Sequence, residues 1–190
     1  MRKIIVSEFV SLDGVIEDPG GSEKSRHGGW TFLYWSDDIG KYKADELFAC
    51  DAQLLGRVTY QGFASSWPTM EGTGEFGERM NGMPKYVVSK TLSRVEWNNS
   101  HIIKSNVAEE VARLKQQPGG DILVAGSARL INSLVPHNLI DEYRLLVYPI
   151  VLGSGKRLFQ DDNTVKLALV DSKLFSSGVM ALTYRPAPDK

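Results

Sequence analysis

Cysteine occurs only once in the 190 residues, at Cys50. One cysteine cannot close an internal disulfide, so a reducing compartment, the cytoplasm, is the simpler expectation. Cys50 itself reads either as a nucleophile or as a small packed residue at a helix end. Excess charge is missing as well: 22 basic residues against 23 acidic ones leave a formal net charge of −1. Without a basic field, or a Lys/Arg run interleaved with aromatics, no nucleic-acid partner is expected. No apolar stretch approaches the ~20 residues that cross a bilayer. The apolar start Ile4-Ile5-Val6 breaks at Ser7-Glu8, too soon for a signal peptide, so no membrane partner is expected either. The histidines His27, His101 and His137 are scattered without ligand spacing, and no metal is expected. The absence of a G-x-G-x-x-G pattern and of a P-loop argues against a Rossmann fold and an ordinary kinase or ATPase.

What is present suits a globular chain: 42% hydrophobic and 24% charged residues. Its length fits one domain, residues 1–190, burying roughly 70% of its unfolded surface without a disulfide or metal. The β-branched run Ile4–Val10 predicts a buried first strand, closed by the turn Leu12-Asp13-Gly14. Residues 17–30, with five glycines and prolines among polar residues, predict a mobile loop. A helix is predicted from Asp37-Asp38 to about Cys50, a strand over 51–55, and a helix over 58–65. Residues 68–82 read as loop plus a short helix. Further strands are expected at 85–89, 101–104, 121–125 and 139–151, with helices over 107–117 and from Ser127 to about Leu134. Strands near 165–175 and 179–185 flank Ser176-Ser177-Gly178 and predict a hairpin. Strands alternating with helices imply an α/β fold around a mostly parallel mixed sheet with antiparallel strands at its end.

Three strand-to-helix junctions carry chemistry. Leu54-Leu55-Gly56-Arg57-Val58-Thr59-Tyr60 joins a glycine turn, a helix N-terminus and a guanidinium, which together suit a phosphate; the alternative is a helix start with a surface arginine. Val87-Val88-Ser89-Lys90-Thr91 places hydroxyl and ammonium groups after a buried strand, where ligands of open α/β sheets gather, or it is a polar turn. Val124-Ala125-Gly126-Ser127-Ala128-Arg129 repeats glycine and hydroxyl at a helix start, a geometry for pyrophosphate.

In this order, with Ser11-Leu12-Asp13-Gly14 before them and Ile140-Asp141-Glu142 leading to Pro149-Ile150-Val151-Leu152-Gly153-Ser154-Gly155 after them, the motifs are recognisable. From about residue 2 to 185 the chain resembles the dihydrofolate-reductase-like superfamily, closest to its riboflavin-biosynthesis reductase branch, the RibD C-terminal domain family. The resemblance implies a three-layer sandwich, a homodimer, and an NADPH-dependent reductase similar to 5-amino-6-(5-phosphoribosylamino)uracil reductase, acting on a small heterocyclic substrate such as a pyrimidine. It implies that Gly56, Arg57 and Thr59 hold the adenosine side of NADPH, and that Ser89 and Lys90 meet the ribose 2′-phosphate. Gly126, Ser127, Ala128 and Arg129 would cradle the pyrophosphate, and Val15 and Ile16 would line the nicotinamide pocket. Two departures stand out. Riboflavin reductases usually carry Glu-Gly-Gly where this chain has Ala125-Gly126-Ser127, which keeps a non-catalytic nucleotide- or flavin-binding module as an alternative. Folate reductases use a first-helix carboxylate to bind pterin; Asp38, Asp45 and Glu46 lie on that helix with no clear match, so true folate reduction is the remoter alternative, as is a phosphosugar enzyme without redox chemistry.

Hydride transfer still requires a proton. Asp13, at the carboxyl end of a central strand, is the candidate donor, or it closes its turn as an Asx-turn. Tyr42 and Glu46, four apart, share a helix face that meets either the substrate or the surrounding structure. Trp30, with Phe32, Tyr34 and Trp35, forms an aromatic cluster suited to a substrate wall, a dimer contact or core packing.

Overall fold

The structure is a computed structural model describing residues 1–159 and 164–187. Its elements run β1 (Ile4–Ser11), α1 (Asp37–Ala49), β2 (Cys50–Gly56), α2 (Arg57–Ser66), α3 (Gly74–Gly82), β3 (Lys85–Val88), β4 (Ser100–Ile103), α4 (Val107–Gln116), β5 (Asp121–Val124), α5 (Ala128–Leu134), β6 (Glu142–Tyr148), β7 (Leu167–Leu174) and β8 (Met180–Pro186). Short 3-10 turns occupy Trp30–Tyr34, Trp67–Thr69 and Val135–His137.

The strands form one eight-stranded sheet in the order β4-β3-β2-β5-β1-β6-β8-β7. The first six are parallel; β8 runs antiparallel to β6, and β7 antiparallel to β8. Side chains alternate along each strand, so the sheet offers two apolar faces. On one face Ile4, Val6, Leu54, Ile122 and Val124 pack with Val111 and Leu114 of α4 and Leu130, Ile131 and Leu134 of α5. On the other, Ile5, Leu55, Val87 and Leu123 meet Leu47 of α1, Tyr60 of α2 and Met80 of α3. A third cluster places Ile39 of α1 against Leu146, Tyr148, Phe175 and Trp30. The result is three layers, helix, sheet and helix.

Several boundaries differ from expectation for local reasons. Cys50 caps the end of α1 and also opens β2; it is 1% exposed, and burial pushes its thiol up to about 11, which favours the packed-residue reading over the nucleophile. The strand expected over 139–151 shortens to Glu142–Tyr148. Leu139 and Ile140 instead pack in the core below it, and Pro149, lacking an N–H, ends the ladder. Residues 17–30 are organised around Asp18, 2% exposed, whose carboxylate accepts from the amides of Glu23 and Ser25 at 2.9 Å each.

Leu54, wholly buried on the central strand β2, tests the packing. Leu54→Ala should cost about 2–5 kcal/mol, read as a lowered urea midpoint with an unchanged slope.

Candidate functional site

In open parallel sheets a crevice opens where neighbouring strands send their connections to opposite faces. Here β1 leads to α1 on one face, while β5, hydrogen-bonded beside it, leads to α5 on the other. The carboxyl ends of β1, β2 and β5 meet at this point, and they bring most of the expected cofactor residues together.

The closest approach joins the turns after β2 and β5. The Gly56 amide donates to the Gly126 carbonyl at 3.4 Å. A Cβ on Gly56 would run into Ser127 Oγ, and one on Gly126 would lie 2.7 Å from Thr59 Oγ1. Gly126 has φ +81°, which a side chain rarely adopts, and the Gly126–Ser127 peptide is cis. Gly56, Thr59, Gly126 and Ser127 therefore form one cradle of backbone and hydroxyl groups. Two helices start from it: α2, and α5 continued by the 3-10 turn Val135–His137. Ala128 is buried at the start of α5, whereas Arg57 and Arg129 are exposed, Arg57 donating to Gln61 at 2.9 Å.

Ser89 and Lys90 stand at the end of β3. Ser89 is 5% exposed and its hydroxyl accepts from the amides of Thr91 and Leu92, at 3.2 and 3.0 Å, so it closes its own turn. Lys90 points into solvent. Val15 and Ile16, both buried, are fastened to the segment after β6: Val15 bridges Arg157, and the Ile16 amide donates to Lys156 O at 2.9 Å.

Asp13 is the main fastener of that segment. Its carboxylate accepts from Ser11 Oγ at 2.7 Å, from the Leu152 amide at 3.1 Å and from the Gly153 amide at 2.9 Å. The Ser11 hydroxyl and these amides hold its pKa down to about 2. A carboxylate so held carries no proton near neutrality, which counts against Asp13 as the donor. The turn itself is closed by Ser11, whose Oγ accepts from the Val15 amide and whose carbonyl accepts from the Gly14 amide, each at 2.9 Å, so Asp13 does not form the expected Asx-turn.

The residues proposed for the substrate side are drawn into the structure. Trp30 is 3% exposed, edge-on to Tyr148 at 5.2 Å, with its indole N–H donating to Glu17 O at 3.0 Å. Tyr42 lies edge-on to Phe175, and burial with the nearby Glu46 charge pushes its hydroxyl up to about 12. Glu46 is 2% exposed; its Oε2 accepts from Ser7 Oγ at 2.8 Å and from Lys43 Nζ at 2.6 Å, and Arg144 lies 3.6 Å from Oε1.

One group at the site escaped the sequence reading. Glu8 sits in β1 between Val6 and Val10, 7% exposed, and its Oε1 accepts from the Gly126 amide at 2.5 Å. Burial pushes its carboxyl up to about 8, against the opposing pull of that amide and of Lys43. The signal was present: an acidic residue in an otherwise apolar strand must find a partner or lose its charge. Among the described residues no three His, Cys, Asp or Glu side chains group as a metal site, and no helix is long and apolar enough to cross a membrane.

Comparison with known proteins agrees with this geometry. The RibD C-terminal domain family matches residues 2–181. The uncharacterised protein YyaP of Bacillus subtilis is 35% identical over 187 residues, spanning 96% of this chain and 94% of its own. A protein from Shewanella sp. PV-4, provisionally named for riboflavin biosynthesis, superposes with TM-score 0.76 at 21% identity, over 98% of this chain and 99% of its own. A Thermotoga maritima diaminohydroxyphosphoribosylaminopyrimidine deaminase/5-amino-6-(5-phosphoribosylamino)uracil reductase gives 0.67 at 15% identity, over 98% of this chain and 57% of its own. An Enterococcus faecalis dihydrofolate reductase complexed with NADP(H) gives 0.61 at 14%, over 98% and 97%.

Two outcomes follow from the carboxylates. Asp13→Ala should speed hydrogen exchange at the amides of Leu152 and Gly153, and in the native protein their protection should fall only as pH drops below the ordinary carboxylate range toward 2. Glu8 has the opposite sign. Its folded pKa lies above the ordinary value of 4.5, so its stabilising contribution is full below about 4.5 and is lost as pH rises toward 8. Glu8→Gln should therefore melt higher than the native protein at pH 8, with the gap closing near pH 5; equal gaps at both would contradict a buried neutral acid.

Proposed function

The chain belongs to the RibD C-terminal domain family, and from that premise we propose that it is an NADPH-dependent reductase passing hydride to a small heterocyclic substrate. The observation that carries this reading is the cradle at Gly56 and Gly126–Ser127. There, a Cβ on either glycine would strike a hydroxyl side chain, and two helices begin beside each other. A tight pair of buried glycine turns between two helix starts, with the hydroxyl side chains of Ser127 and Thr59 packed against them, suits the phosphates of a dinucleotide.

Gly56, Arg57 and Thr59 then hold the adenosine-side phosphates, and Gly126, Ser127, Ala128 and Arg129 hold the pyrophosphate. At the ribose 2′-phosphate the positive partner is Lys90, since the Ser89 hydroxyl is engaged in its own turn. Val15 and Ile16 wall the nicotinamide pocket, held in place by Asp13 through the Leu152–Gly153 segment. When bound, the reduced nicotinamide supplies the hydride, so the chain's own work is orientation, exclusion of water and passage of one proton. Trp30, Tyr42 and Glu46 shape the substrate side from behind, through their contacts with Tyr148, Phe175 and Lys43. The reading takes the whole chain as one domain working in the cytoplasm. It also takes the protein as a homodimer, because the edge strand β7 exposes Leu169, Val170 and Leu174, apolar surface that a second copy would cover.

Calorimetric titration of the purified protein with NADPH and with NADH tests the reading. NADPH should bind the more tightly. Arg57→Ala or Lys90→Ala should weaken NADPH by roughly tenfold and leave NADH within about twofold, the loss of one charge-assisted contact. Equal loss for both cofactors would remove the 2′-phosphate role. Binding without substrate-dependent oxidation, in a screen of pyrimidines and pterins, would leave a nucleotide-binding module.

A further inference from the structure

The cradle has a component that no ligand needs to touch. Glu8 stands in β1 beside Leu145 of β6, on the face that α4 and α5 cover, and it reaches forward to the amide that opens the Gly126–Ser127 turn. A buried carboxyl at this place has two states with different consequences. Neutral, it fixes the turn with its carbonyl oxygen and adds no charge. Ionised, it puts a negative charge against the turn whose far side a polyanion would approach, in surroundings too dry to screen it.

We propose that Glu8 is the positioning residue of the cofactor cradle: its neutral carboxyl holds the Gly126–Ser127 turn open to a dinucleotide pyrophosphate, and its ionisation closes the turn to that anion by repulsion. The inference rests on the reductase reading above and gives it a second requirement, a proton held under the cradle. Burial favours that proton near neutral pH, with the carboxyl raised to about 8. The charged groups around Glu8 do not remove the effect. Lys43 of α1 is the charged side chain whose field reaches it, and that ammonium already spends hydrogen bonds on Ser7 and Glu46. Across the sheet, β6 offers Leu145 and β5 ends in Val124 and Ala125. Arg129 at the start of α5 and Arg57 at the start of α2 are exposed to solvent.

Linkage makes the inference measurable on the native protein. If the anion binds best when Glu8 is neutral, binding must draw in a proton wherever Glu8 is partly ionised, and the coupling is reciprocal. Titration with NADPH at pH 8, in two buffers of different ionisation enthalpy, should show uptake of a fraction of a proton. The native affinity should fall by on the order of tenfold between pH 7 and pH 9. Glu8→Gln keeps an acceptor for the Gly126 amide and cannot ionise, so it should bind NADPH at both pH values within about twofold and take up no proton at pH 8. A Glu8→Gln protein with the same pH slope and proton uptake as the native one overturns the inference while leaving the cofactor reading intact. NADPH that fails to bind the native protein at any pH overturns both.

Discussion

Four residues, Asp121–Val124, hold the candidate site together, because β5 is hydrogen-bonded along both flanks. The chain reaches β5 only after laying down β2, β3 and β4 outward from the centre, and it then returns to fill the space between β2 and β1. That insertion brings three strand ends to one edge. It also fixes the spacing between the turns after β2 and β5, which is why Gly56 and Gly126 come within hydrogen-bond reach although 70 residues apart. Neither glycine alone makes a site. The cradle exists because a central parallel strand leaves its neighbours no freedom to move apart.

The two edges of the sheet use polar groups differently. At the amino edge nearly everything is paired. Arg2 bonds Gly120 O and Asp51, Asp141 takes the Ile4 amide at 2.7 Å, and Lys115 spends its ammonium on Asp141 and Leu139 O. These groups lock strand starts to loops, and leaving either partner of such a half-buried pair alone would be costly. At the carboxyl edge, Arg57, Lys90 and Arg129 stand in solvent, beside two glycine turns packed against the hydroxyls of Ser127 and Thr59. Unspent positive charge beside those helix starts gives an anion somewhere to go.

Much of this was legible in the sequence, for definite reasons. Strands such as Ile4–Val10 and the helix over 107–116 announce themselves by β-branched runs, and by acids in the first turn with bases in the last. Glycine followed by a hydroxyl or arginine after a strand marked two of the cradle's turns. What could not be read was how a polar residue would spend its bonds. Asp13 was open between proton donor and turn cap, and the structure instead ties it to the amides of Leu152 and Gly153, about 140 residues away. Trp30 was open between pocket wall and core, and Tyr148 decided that. Glu8 was passed over because the apolar pattern around it reads as strand whatever its own charge does.

The likeness to folate reductases is one of fold, and α1 shows where it stops. A pterin needs an acceptor carboxylate that the protein has not already satisfied. The three acids of α1 weighed for that role are each at least partly engaged, though the buried Glu46 Oε1 accepts no hydrogen bond. Asp38 bonds Ser36 and clamps Ser176 at the tip of the β7–β8 hairpin. Asp45 pairs with Lys41 in solvent at 2.8 Å. Glu46 is buried against Ser7 and Lys43, with Arg144 beside its other oxygen. Freeing Glu46 for a ligand would leave the Lys43 ammonium short of its counter-charge, while Arg144 keeps Glu142 at 2.7 Å. The inner face of α1 therefore carries an ion group that fixes the helix on the sheet, with one Glu46 oxygen left without a hydrogen bond. A first-helix acid with one oxygen spent on Ser7 and Lys43 differs from a wholly free one, and the likeness to the folate reductase stays one of fold.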